Sequence, residues 1–328
     1  GYCRYTQEMV GIGTGDVTKM ETFEEFKNAV FGQVRYLMGM AAERVNVEMI
    51  AERELFPDVF RSALMKDGVS SGKDMFNRRF AFENAGLIGA VGGVNTGDAL
   101  MAIKKLVYDE KKYTMAQLME ALDADWDGFD KMRQDFLEAP KYGNNIDEVD
   151  RLVAEVYELH NQACRSYPSA YGDTIKPNAI SISAHQPGGA LTGATADGRK
   201  GGEILADASI SPSHGKDVRG PLAVFQSAMK IPQDQYQGTL FNMKFHPTML
   251  KTDGDLAKLA GLIRIYLTNG GKHIQFNVVD KKDMLDAQIH PQEHKELTVR
   301  VAGYSAYFTR LPESIQNEVI ERTSQALS

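Results

Sequence analysis

Residues 240–279 constrain the fold most. A short run, 240–245, ends at His246 and Pro247, residues 256–268 follow a helical period, and 274–279 is a second apolar run of strand length. Strand, helix, strand of these lengths is a βαβ signal and calls for a parallel sheet. Beyond it, 283–289 suits a short helix, 298–308 a hairpin, and Pro312 the first turn of a last helix. Ile315, Val319 and Ile320 give that helix a face that can close over the hairpin.

The preceding chain is mostly helical. Thr22 and Glu25 form a capping-box pattern, and Phe26, Val30, Val34, Leu37, Met38, Ala41, Val45 and Met49 recur at helical spacing, predicting one amphipathic helix over 23–51. Pro57 restarts the chain into a short helix at 58–65. Further helices are expected at 99–108, 114–124, 129–138, 146–166 and 221–229. Between them, Ile180 to Ser183 suggest a strand, and 192–200 and 206–212 suggest long loops. Five glycines between Gly86 and Gly97 invite a phosphate-loop reading, but the spacing fits neither nucleotide motif and Lys104 and Lys105 come a helical turn too late. A close backbone crossing is the plainer reading.

Composition removes several functions. With 44 acidic and 37 basic side chains and a net charge of -7, no basic field invites nucleic acid. The length, 328 residues, suits one large or two medium domains. The two cysteines, Cys3 and Cys164, are far apart and lack metal-ligand spacing, which suits a reducing cytoplasm; no apolar run has membrane length, and no charged stretch followed by an apolar one opens the sequence. His290-Pro291-Gln292-Glu293-His294 matches the H-x-x-E-H string of zinc hydrolases. Pro291 opposes a continuous helix through both histidines and favours a helix start, so surface or capping histidines are the alternative. No G-x-S-x-G elbow is present.

Within the expected hairpin, Gly303 can be required for two reasons. One is a φ above zero in a tight turn. The other is chemical: losing an α-hydrogen leaves a radical that the flanking amides delocalise only if the centre flattens, which a side chain hinders. Arg300-Val301-Ala302-Gly303-Tyr304, just ahead of a closing helix, resembles the glycyl radical loop of the pyruvate formate-lyase superfamily. So does its approach, Gly270 to Asp280, then Ala287-Gln288 and His290-Pro291. Asn95 to Lys105, Ala139 to Asn144, Gly189 to Arg199 and Ser211 to Pro221 are also similar to strings of that superfamily, with Ala196 where proline is expected.

The resemblance implies an α/β fold: the second half of a ten-stranded α/β barrel built from two five-stranded parallel halves, with surrounding helices and a C-terminal glycyl radical loop. Residues 1–205 would be the helix-rich barrel part and 206–328 the glycyl radical domain. Gly303 would be catalytic, flanked by the loop residues Arg300, Val301, Ala302, Tyr304 and Ser305, with Val301, Ala302, Tyr304 and Phe308 shielding the radical from water and oxygen. No bound cofactor or metal is implied. A radical SAM activating enzyme would install the radical, and Gly303 would regenerate a cysteine thiyl that abstracts hydrogen from a small organic substrate. Cys3 is followed by Arg4 and Tyr5, not by the G-C-x-E pattern of a thiyl loop, so the thiyl cysteine is expected in an N-terminal half on the same or another chain. A homo-oligomer is expected, without nucleic acid or membrane. Gly303-Tyr304-Ser305-Ala306 is closer to the dehydratase, lyase and fumarate-adding branches than to pyruvate formate-lyase itself, which leaves elimination, decarboxylation and fumarate addition open. The remaining alternative is a radical-bearing partner subunit or fragment, inactive alone.

Overall fold

The structure is a computed structural model describing residues 2–3, 6–77, 86–322 and 324–325. The chain divides into two compact units, one of Gly1–Asp16, Glu24–Gly89 and Leu159–Asn178, the other of Val17–Phe23, Ala90–Glu158 and Ala179–Ser328. Among the described residues no helix is long and apolar enough to cross a membrane.

The expected amphipathic helix runs Phe23–Leu55, all but its first residue in the first unit. Met38 and Ala42 pack with Ala163, Cys164 and Ile175, and Val34 and Val45 border them. Leu37, expected in the same stripe, is 45% exposed. One residue is about 100° of helix rotation, so Met38 and Leu37 cannot both face the centre of a narrow seam. Leu87–Gly89 pairs in parallel with Lys176–Asn178.

In the second unit the helix expected at 99–108 starts earlier, as Gly93–Ile103, and continues as a π turn, Lys104–Asp109. Gly97 explains the glycine-rich sequence. A Cβ there would lie 2.3 Å from Val153 Cγ2 and 2.8 Å from Val153 Cα, so this helix and Asp147–Arg165 touch backbone to backbone. That is a packing requirement and not a phosphate cradle; Phe82 to Ala85, just ahead of the glycine-rich stretch, lie outside the described residues. Met115–Asp123 opens with a complete capping box between Thr114 and Gln117, and Asp130–Glu138 follows. Ile180 to Ser183 is not a strand: Ile182 has φ +51°, which ends extension, and the chain turns into a helix, His185–Leu191, that the sequence reading lacked.

The βαβ expectation is met. Asn242–Phe245 and Gln275–Val278 pair in parallel across the helix Asp253–Thr268, and Ser324–Gln325 adds in parallel on the other side. Phe225, Phe241 and Tyr266 pack ring against ring beneath the sheet, with centroids 5.4 to 5.9 Å apart. Among the described residues the other parallel pairings of this unit are single bridges, Ala179 with Thr239 and Ser209 with Leu240. The last helix, Glu313–Glu321, buries Val319 and Ile320 with Met284, Ala287, Val299, Val301 and Phe308. Large side chains so buried contribute about 2 kcal/mol each, so the hairpin rests on an apolar core of its own. Lys244 is buried in the central strand and donates from Nζ to the carbonyl of Ile320 at 2.9 Å, satisfying the end of that helix.

Candidate functional site at the Gly303 hairpin

Thr298–Arg300 and Ser305–Tyr307 form an antiparallel hairpin in which Arg300 faces Ser305. The Val301 N–H donates to the Tyr304 carbonyl at 2.9 Å and closes the turn. Gly303 lies in that turn with φ +79°. A Cβ there would meet Leu240 Cδ1 at 3.8 Å, an ordinary contact, so backbone conformation and not space demands the glycine.

The hairpin is tied to the parallel sheet by side-chain amides. Asn277 uses both ends of its amide on one residue: Nδ2 donates to the Arg300 carbonyl at 2.6 Å, and Oδ1 accepts from the Arg300 N–H at 2.7 Å. Gln275 Oε1 accepts from the Gly303 N–H at 3.1 Å and from Arg300 Nε at 2.8 Å. Gln275 Nε2 donates to Asn242 Oδ1, and Asn242 Nδ2 donates to Asp207 at 2.5 Å and to the Val301 carbonyl at 3.2 Å. Gln275 and Asn277 share one face of their strand because side chains alternate.

A buried ionic cluster anchors the relay. Arg322 forks onto Glu318 at 2.7 and 3.0 Å, lies 3.6 Å from Asp207, and donates to the Arg300 carbonyl at 3.1 Å. His214 Nε2 is 3.4 Å from both Asp207 and Glu318. Burial alone would raise the Asp207 and Glu318 carboxyls, but Arg322, with His214, holds both below the usual carboxylate range. Burial would lower the His214 imidazole, yet its two carboxylate partners push it up to about 9. Asp207, His214 and Glu318 are the described residues that could converge on a metal ion, their ligand atoms lying within 4.8 Å of one another. The Arg322 guanidinium and the His214 imidazolium already supply the positive charge, so an added cation would meet repulsion.

The sequence-derived loop residues are thus brought together, with one correction. Val301, Ala302 and Phe308 are buried, Ala302 against Ala208 and Leu240, but Gly303 is exposed and Tyr304 is 39% exposed. The apolar residues support the turn from below and leave its outer face uncovered. Cys164 is packed in the first unit's apolar cluster, where burial pushes its thiol up to about 12, the reverse of an activated thiol. Cys3 sits in a two-residue strand, and its side chain lies outside the described residues. His290 and His294 both bind Asp286, at 3.0 and 2.6 Å, and Pro291 lies in the turn after the helix Lys281–Ile289 instead of starting one. Each imidazole is therefore engaged by a carboxylate of the preceding helix. A cavity of about 530 Å³ in the same unit is lined by His214, Glu318, Lys141 and Lys216, but not by Gly303.

Sequence reading passed over Gln275, Asn277, Asn242, Asp207, His214, Glu318 and Arg322 as site residues. The available signal was the run of amides inside expected strands, since a buried amide requires partners.

Comparison with known proteins agrees with this hairpin. Residues 1–189 match the pyruvate formate lyase-like family model and residues 206–309 the glycine radical model. The chain belongs to the pyruvate formate lyase-like family and carries its glycine radical domain. It is 34% identical over 327 residues to trans-4-hydroxy-L-proline dehydratase of Clostridioides difficile, covering 99% of this chain and 41% of that protein. It is 34% identical over 337 residues to indoleacetate decarboxylase of Tractidigestivibacter scatoligenes, covering 95% and 38%. The glycerol-bound B12-independent glycerol dehydratase of Clostridium butyricum superposes with TM-score 0.91 at 39% identity, covering 98% of this chain and 41% of that one. The chain thus spans about two-fifths of the length of these relatives.

Proposed function

We propose that this chain is the radical-bearing part of a glycyl radical lyase that stores an unpaired electron on Gly303. The observation that carries the reading is the Gly303 turn itself, a glycine with φ +79° whose N–H is held by Gln275, inside the segment matching the glycine radical model. A radical SAM activase would remove one α-hydrogen atom. The Gly303 radical then takes a hydrogen atom from a cysteine thiol, so that the S–H bond breaks, the Cα–H bond reforms and a thiyl remains. The thiyl abstracts a hydrogen atom from a small organic substrate, the substrate radical loses water or carbon dioxide, and the hydrogen atom returns to it.

The thiyl belongs to an N-terminal half of the same or another chain, seated over the exposed face of Gly303 and Tyr304. The exposed Phe56, Val59, Phe60 and Val69 favour protein cover on the first unit as well. Residues 206–328 would be the glycyl radical domain and 1–205 part of the barrel. Elimination is favoured over fumarate addition because the relatives named above are dehydratases and a decarboxylase.

The test is turnover by the native polypeptide after anaerobic activation, assayed against small diols, hydroxylated amino acids and arylacetates. Dehydration or decarboxylation dependent on activation supports the reading. A radical with addition of substrate to fumarate would move the protein to another branch, and turnover independent of activation would refute the reading.

A further inference from the structure

We propose that Gln275 is the positioning residue for Gly303: the last member of a one-way amide relay from Asp207 through Asn242 that fixes the peptide plane on the nitrogen side of the radical carbon. The inference rests on the radical reading of Gly303. The direction follows from donor and acceptor inventory. Asp207 is 2% exposed and its partners Arg322 and His214 keep it ionised, so it only accepts. Asn242 must turn Nδ2 toward it, and the Val301 carbonyl at 3.2 Å demands the same orientation. Asn242 Oδ1 then faces Gln275 and claims Nε2. Gln275 is left presenting Oε1 to the hairpin, where the Gly303 N–H and Arg300 Nε both donate to it. Asn242 and Gln275 are each 7% exposed, so no bulk water substitutes for a missing partner.

The consequence is specific to a radical. Spin on an α-carbon spreads onto the adjacent amide nitrogen according to the twist between the peptide plane and the plane of the radical carbon. A hydrogen bond that holds the Gly303 N–H therefore sets the nitrogen share of the spin. A merely structural strand residue would not affect that share once the fold is intact.

The experiment is anaerobic EPR and ENDOR of the activated native polypeptide carrying nitrogen-15 glycine, comparing wild type, Gln275→Leu and Gln275→Glu. Glutamate keeps an acceptor for Gly303 and Arg300 but sets its second oxygen against Asn242 Oδ1. Lys244→Met serves as a control that weakens the last helix without touching Gly303. We expect both Gln275 variants to shift the nitrogen hyperfine coupling and to shorten the radical's lifetime several-fold, with Lys244→Met keeping the wild-type coupling. If Gln275→Leu does not fold, Gln275→Glu carries the test. A wild-type coupling in a folded Gln275 variant overturns the relay while leaving the radical assignment intact. Absence of any doublet in activated wild type overturns the radical assignment beneath it.

Discussion

Replacing Gly303 by alanine separates the conformational demand at this position from the chemical one. With φ +79°, an alanine would sit in the left-handed region at a cost of about 1–2 kcal/mol. The new methyl would meet Leu240 Cδ1 at 3.8 Å and Cδ2 at 4.0 Å, contacts of ordinary length worth only about 0.1–0.2 kcal/mol each, so no steric penalty is added. Set against a typical stability of roughly 5–15 kcal/mol, the variant stays folded. Urea unfolding followed by Trp126 fluorescence measures this, because the chain's single tryptophan is fully buried in the same compact unit as the hairpin. The expected result is a loss of about 1–2 kcal/mol together with complete loss of the activase-dependent EPR doublet. A loss above about 4 kcal/mol would contradict the open space next to Gly303. A doublet surviving in folded Gly303→Ala would place the radical on another residue.

The remaining predictions test the supports of the hairpin. Gly97→Ala drives a methyl into the backbone of Val153 and should cost about 3 kcal/mol or more in urea unfolding, well above Gly303→Ala, although both are single methyl additions. Arg322→Met leaves the buried Asp207 and Glu318 carboxylates short of their guanidinium and should cost about 3–5 kcal/mol, read by the same assay. The folded-state pKa of His214 is raised from 6.5 to about 9, so its contribution is fully present below pH 6.5 and is lost as pH rises through about 9. Asp207 and Glu318 are depressed below 3.8 and 4.5, so their contribution is present above those values and is lost as pH falls through the lower folded ones. The contribution of this cluster to stability, read as the difference between wild type and Glu318→Gln across pH, should therefore be greatest at about pH 5–6.5, and Glu318→Gln should shrink the alkaline loss.

Much of the fold was legible because it rests on local chemistry. The helices expected at 114–124 and 146–166, the strand–helix–strand run and Pro312 ahead of the last helix rest on short-range signals, and each element appears within a few residues of its expected place. The misses have long-range causes. Gly97 was legible as a close backbone crossing, but its partner was not, because the backbone of Val153 lies 56 positions away. Ile182 looked like a strand residue until a positive φ turned it outward, 47% exposed. Gly303 was legible as a string, yet its supports come from residues 207, 242, 275 and 322, which only the parallel sheet and the last helix bring together. Its uncovered face was the opposite of what flanking apolar residues suggest, since Val301 and Ala302 point into the core while the turn between the strands faces out.

The most direct test of the central claim uses isotopes in place of substitutions. A glycine radical keeps one α-hydrogen, whose nuclear spin splits the EPR line in two. The native polypeptide grown with ordinary glycine and with α-deuterated glycine, activated anaerobically, should give a doublet in the first case and a single narrowed line in the second. A signal unchanged by the deuterated glycine would mean that the unpaired electron does not reside on a glycine, and Gly303 would then be a turn residue without a radical role.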